Sequence, residues 1–189
     1  MAVPVTLFAD FTSAASYVTE AALWRLVDEG LVTPEFRALE IFPAPARLPL
    51  EPPTVDEVRP LADELGVELR RPPLAARTRK AHELARFGAA KGMERELRAA
   101  IHAAYFRDGR DIGRIDVLVE IASALGLDTT ESKVVLDIDS YAAAVAADAA
   151  DARRVGIAAV PVMVVGAGGR IVAGPQPLDL LRAALAGAG

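Results

Sequence analysis

The sequence predicts an α/β fold in which the two ends of the chain build one small sheet and the middle supplies helices. Three observations predict it. A short apolar run, Val3 to Asp10, opens the chain, and a pair of short apolar runs, Pro161 to Val165 and Arg170 to Ala173, nearly closes it. Between them, from Asp56 to roughly Ala124, the apolar residues recur at helical spacing and nothing there looks like a strand. A sheet of roughly four strands with helices on both faces buries every apolar surface that this order creates. The predicted domains are therefore a discontinuous α/β unit, 1–52 with 138–189, and a helical insertion, 53–137.

Each element follows from local chemistry. Val3 to Asp10 reads as a buried strand. A helix starts directly after it, with Ser13 or Ser16 able to supply the N-cap oxygen and Tyr17, Leu23, Trp24, Leu26 and Val27 giving it apolar faces. Gly30 ends that helix. Phe36 to Phe42 alternates well enough for a second strand, and Pro43, Pro45, Pro49, Pro52 and Pro53 then enforce an extended loop. Helical segments are predicted over Val58 to Leu65, Ala75 to Lys91, Met93 to Arg107 and Ile115 to Leu125, broken at Pro72-Pro73, Gly92 and Gly109. Ser140 to Arg154 is an Ala-rich helix with Asp139 or Ser140 as its cap. Gly166 to Gly169 joins the last two strands as a hairpin, and Pro177 to Ala186 forms the final helix.

Composition removes whole classes of function. With no cysteine in the chain, disulfide scaffolds, thiolate metal sites, cysteine nucleophiles and self-contained dithiol redox chemistry are excluded for it. Two histidines, His82 and His102, are too few to suggest a His-rich metal centre, so no metal is expected. A net charge of −5 is the wrong sign for a phosphate-coating surface, and no nucleic-acid partner is expected. The N-terminus lacks a basic leader, and the longest uncharged run, Val155 to Gly169, spans 15 residues with Pro161 inside it. That falls short of the roughly 18 apolar residues of a membrane span, so a cytoplasmic protein without membrane contact is expected. The Ala-rich stretches Ala142 to Arg154 and Leu178 to Ala186 suit packing either within a monomer or across a homodimer.

Local motifs are few. Val164-Val-Gly-Ala-Gly-Gly-Arg170 looks like half of a dinucleotide-binding turn, but such a turn must open a helix, and here a strand follows. His82 and His102 lie inside helical patterns, where a packed or solvated histidine is the plainer reading. No Gly-x-Ser-x-Gly elbow occurs. The segment Asp10-Phe-Thr-Ser-Ala-Ala-Ser-Tyr17 stands out by its place, directly after the first strand and at the start of the first helix. A helix N-terminus presents free amides and a partial positive charge, which stabilise an anion or lower a thiol pKa. Without a ligand, Ser13 is simply the cap and Ser16 a spare first-turn hydroxyl.

Three passages carry a resemblance that covers essentially the whole chain: Leu7-Phe-Ala-Asp-Phe-Thr-Ser-Ala-Ala-Ser-Tyr17; Ala81-His-Glu-Leu-Ala-Arg-Phe87 with Ala104-Tyr-Phe-Arg-Asp-Gly-Arg-Asp-Ile112; and Gly156-Ile-Ala-Ala-Val-Pro-Val-Met-Val-Val165. The sequence resembles the DsbA-like branch of the thioredoxin superfamily, which contains FrnE-type oxidoreductases, 2-hydroxychromene-2-carboxylate isomerases and kappa-class glutathione transferases. The resemblance implies a thioredoxin-like fold with a helical lid, and it implies a cis peptide at Val160-Pro161 opposite the active-site turn. Where redox members carry Cys-x-x-Cys, this chain has Ser13-Ala14-Ala15-Ser16, so it cannot exchange disulfides through its own thiols.

In the isomerases and kappa transferases a serine at the first position hydrogen-bonds the sulfur of bound glutathione, and Ser13 matches it. The resemblance thus implies glutathione as cofactor and Ser13 as the catalytic group. Val160, beside Pro161, would pair with the glutathione backbone; Ser16 and Tyr17 are ligand-binding candidates; Tyr105 and Phe106 are candidate lid contacts. Two features depart from the isomerases: Ala14-Ala15 stands in place of Pro-Tyr, and Gly174-Pro-Gln-Pro177 in place of Gly-x-Asp-Arg, the acid and base that hold the γ-glutamyl end. The second feature resembles FrnE-type proteins. The competing reading is therefore a catalytically silent relative that binds a peptide or small thiol ligand beside Pro161.

Overall fold

A computed structural model describes residues 2–187. The chain runs β1 (Val3–Ala9), α1 (Ala14–Asp28), β2 (Val32–Ala38), a single 3-10 turn (Asp56–Val58), α2 (Arg59–Leu65), α3 (Arg79–Ala90), α4 (Glu94–Phe106), α5 (Ile115–Ala124), α6 (Thr129–Asp137), α7 (Ala142–Arg154), β3 (Val162–Val165), β4 (Arg170–Ala173) and α8 (Leu178–Ala186). The four strands form one sheet in the order β2-β1-β3-β4. β1 pairs parallel with β2 and antiparallel with β3, which pairs antiparallel with β4.

The two-residue period of β1 sorts its side chains to opposite faces. Val5, Leu7 and Ala9 pack with Leu23 and Leu26 of α1 and Leu181 and Leu185 of α8, while Phe8 packs on the other face with Ala152 of α7, Ile157 and Val162. The helices of the middle segment close a third core around Leu84, Leu97, Ile101, Ile112 and Leu118, which reaches the sheet unit through Phe11, Ala14 and Val18 at the start of α1.

Three local expectations need correction. The second strand is Val32–Ala38 and not Phe36 to Phe42. Pro34, which argues against a strand on its own, is accommodated because β2 lies at the sheet edge. α6 has no counterpart among the predicted helices: only Ser132 and Leu136 of its residues are buried, so it has almost no apolar stripe to read, and it is fixed instead by its Asp128 cap accepting from the Glu131 amide at 2.7 Å. Neither Asp139 nor Ser140 caps α7. Its N-cap is Tyr141, without a side-chain bond, and Asp139 is left-handed at φ 58° with its carboxylate 2.7 Å from the Lys80 ammonium.

The approach of α3 and α4 depends on one glycine. A Cβ at Gly88 would lie 2.6 Å from Leu97 Cδ2 and 3.2 Å from Leu97 Cβ. Gly88→Val is expected to lower stability by about 1–3 kcal/mol through overpacking, read as a lower urea midpoint at unchanged m-value.

Candidate active site

The turn between β1 and α1 is built by Asp10, Thr12, Ser13 and Ser16, all buried. Ser13 is the N-cap of α1: its backbone is extended and its Oγ accepts from the Ser16 amide at 3.1 Å. Of the two caps the sequence allowed, Ser13 is therefore the one used. Ser16 is no spare hydroxyl, since its Oγ accepts from the Asp10 amide at 3.3 Å and the residue is fully enclosed. Ala14 and Ala15 occupy the first two helical positions, whose amides have no partner within a helix. No acidic residue lies in the first turn, so the positive helix end is left uncompensated from within the helix.

Asp10 ties this turn to the segment after β2. Its Oδ2 accepts from the Ile41 amide at 2.6 Å and from the Thr12 hydroxyl at 3.3 Å, while Oδ1 lies 3.4 Å from His82 Nε2. Burial pushes the carboxyl pKa up, but the His82 ring and the Ile41 amide outweigh it and hold the pKa below the ordinary value.

Sequence spacing gave no sign of what surrounds Phe11. His82 from α3 and His102 from α4 lie against its ring, each with a centroid separation of 4.8 Å, and the Arg98 guanidinium sits 4.9 Å from its centroid and 4.3 Å from that of Phe36. Both histidines are packed, not solvated. Arg98 holds Glu20 of α1 through Nε at 2.8 Å and through a second, short contact, and His102 Nε2 is 3.2 Å from the same carboxylate. Burial opposes charge on Glu20, but Arg98 and His102 overcome it and set the carboxyl at about 2. The residue after Asp10 is thus locked to the helical segment by two rings and a buried ion pair.

On the opposite flank of the turn the Val160-Pro161 bond is cis, as the resemblance implies. The β1/β3 register pairs Phe8 with Val162, and continuing it by one residue sets Pro161 across from Ala9, directly before the turn. Pro161 is buried and Val160 partly exposed. A cavity of about 290 Å³ lies at the end of the sheet where edge strand β2 finishes and central strand β3 begins, lined by Leu39, Glu40, Ile41, Ala158, Ala159 and Val160.

The candidate residues do not all converge. Tyr17 does not line this cavity but another, of about 310 Å³ between α1 and α4, and it stacks on His102 at 4.5 Å. Burial raises the Tyr17 phenol. Tyr105 and Phe106 are core residues of the helical segment: the Tyr105 hydroxyl donates to the Leu74 carbonyl at 2.9 Å, and Phe106 reaches the turn only indirectly, by stacking on Tyr17 at 5.8 Å. Among the described residues no group of three His, Asp or Glu side chains gathers as metal ligands, and no helix is long and apolar enough to cross a membrane.

Residues 4–186 match the DSBA-like thioredoxin domain family. Uncharacterized protein YwbO of Bacillus subtilis is 26% identical over 150 residues, 75% of each chain. Among solved structures, a probable DsbA oxidoreductase of Streptomyces coelicolor superposes with a TM-score of 0.84 at 24% identity, covering 98% of this chain and 89% of that one. A 2-hydroxychromene-2-carboxylate isomerase gives 0.78 at 17% identity over 97% and 94%. The cytosolic disulfide reductase DsbM of Pseudomonas aeruginosa, in its structure with GSH, gives 0.75 at 16% identity over 97% and 99%. At such identities the likeness is one of fold. Matched across nearly its whole length, the chain belongs to the DSBA-like thioredoxin family, as a member without cysteines that carries Ser13-Ala14-Ala15-Ser16 at the turn between β1 and α1.

Proposed function

We propose that this protein is a glutathione-dependent isomerase or transferase that takes its thiol from the cofactor and holds the thiolate at Ser13. The observation that carries the reading is the state of the Ser13 hydroxyl. Its oxygen accepts the Ser16 amide, and among the described residues no acceptor takes its proton, which is free to donate to a ligand sulfur. The Ala14 and Ala15 amides and the uncompensated positive end of α1 add to the field favouring an anion there. Partly exposed Val160, beside the cis-proline, offers backbone to an extended ligand in the manner of an added strand. The reductase whose structure with GSH shares this fold supports the same ligand class. The bound thiolate would add to an electrophilic double bond of a small substrate, breaking its π bond, with the displaced electron pair taking up the proton the thiol released. An isomerase then expels the thiolate again and a transferase keeps the thioether, with the reducing cytoplasm as the compartment that supplies glutathione.

Calorimetric titration with reduced glutathione tests this. Submillimolar binding is expected, with about a tenfold or greater loss for Ser13→Ala and for S-methylglutathione, the scale of one hydrogen bond to a charged group. The lost cap itself costs only about 1 kcal/mol, so the variant stays folded. Absence of binding at cellular glutathione concentrations overturns the reading and leaves a catalytically silent relative that takes a peptide or other thiol ligand beside Pro161.

A further inference from the structure

Glu40 stands at the cavity beside Val160 as the one ionisable side chain in its lining. The other lining residues are apolar, so beyond backbone groups its carboxyl is what the cavity offers a polar ligand. Among the described residues this carboxyl makes no hydrogen bond and no ion pair. Two cations that act on it are committed elsewhere: Arg77 donates to the carbonyls of Phe42, at 2.6 Å, and of Ala46, and Arg79 Nε lies 4.0 Å from Glu83; Arg153, which lines a second cavity together with Glu40, makes no ion pair with it. His82 and Asp10, behind the cavity wall, act on it in opposite senses. Glu40 is half-buried, and burial, followed by Asp10, pushes its pKa up, so a cation that docked here would relieve a real electrostatic cost. The backbone around it is fixed: the next amide, Ile41, is held by Asp10, and Ala38 is held by Asp148 at 2.9 Å.

We propose that Glu40 is the specificity residue of this cavity and that it recognises the ammonium group of a ligand lying along Val160, which for glutathione is the γ-glutamyl amine. This rests on the glutathione reading above. An acceptor that meets its ligand as a charged pair discriminates strongly against an analogue without the donor, because the carboxylate is then left without a partner.

The test is a two-by-two titration. The wild type and Glu40→Gln are each titrated with glutathione and with the deaminated tripeptide glutaryl-cysteinylglycine. The wild type should prefer glutathione by about tenfold or more. Glu40→Gln should erase that preference by weakening glutathione alone, and Glu40→Asp should restore part of it. Equal weakening of both tripeptides, or of neither, overturns the assignment to Glu40. If Ser13-sensitive glutathione binding survives in that case, the glutathione reading stands without Glu40. If neither tripeptide binds the wild type, both the reading and the inference fall. Matching thermal midpoints of the three proteins establish that folding is not the cause.

Discussion

Arg98→Ala is expected to cost about 3–5 kcal/mol of folding stability, the scale for stranding one partner of a buried ion pair. Glu20 and Arg98 are 2% and 5% exposed, and Glu20 would be left with only His102 beside it. The guanidinium also covers Phe11 and Phe36, so truncation removes packing as well as charge. Urea unfolding should show a much lower midpoint. Replacing Glu20 and Arg98 together by Leu and Met should recover most of the loss, since the stranded carboxylate is then gone; a double variant as unstable as Arg98→Ala would contradict this account.

The same pair sets an acid limit. Despite burial, Arg98 and His102 hold the Glu20 carboxyl at about 2, against 4.5 as the ordinary value. A carboxyl depressed by folding contributes its full stability above the unfolded pKa and loses it as pH falls through the folded one. The window is therefore pH 4.5 down to about 2, and the contribution at neutral pH is on the order of 3 kcal/mol. Stability measured across that range should fall, and Glu20→Gln should flatten the fall while lowering the plateau.

Asp148→Ala is the second large effect, expected at about 3–4 kcal/mol. Asp148 is 1% exposed and ties α7 to two other elements: Oδ1 takes Arg37 of β2 at 3.1 Å, and Oδ2 takes the Ala38 amide of β2 at 2.9 Å and, in a short contact, Arg86 of α3. Without it Arg86 loses its carboxylate partner, Arg37 keeps only Glu35 and Asp151, and the last amide of β2 loses its acceptor. Asp148→Asn should cost less, because an acceptor for Ala38 remains. Ala38 directly precedes the Leu39-Glu40-Ile41 wall of the cavity. Hydrogen exchange should therefore quicken at 38–41 in Asp148→Ala while β1 stays protected; uniform exchange loss would place the effect in global unfolding alone.

Elements with strong local signals were legible in the chain itself. Ser13 ahead of a helical run, the Gly166–Gly169 hairpin and Pro177 before α8 need no distant partner to be read. β2 was misplaced because its edge position, which tolerates Pro34, is a property of the sheet. α6 was unread because a nearly solvated helix has no stripe. Tyr105 and Phe106 were read as lid contacts because their aromatic character is local, whereas the Leu74 carbonyl and the ring stack that occupy them come from other elements.

The sequence by itself determined the fold class, the absence of dithiol chemistry in this chain and the serine at the head of α1, since each depends on residue identity and near neighbours. Only the tertiary structure decided that His82, His102 and Arg98 meet at Phe11, that Glu20 stays charged in the interior, and that Glu40 stands free beside Val160. These depend on groups up to 120 residues apart in the chain, from Glu40 to Val160, and on a dielectric that exists only once the core has closed around them.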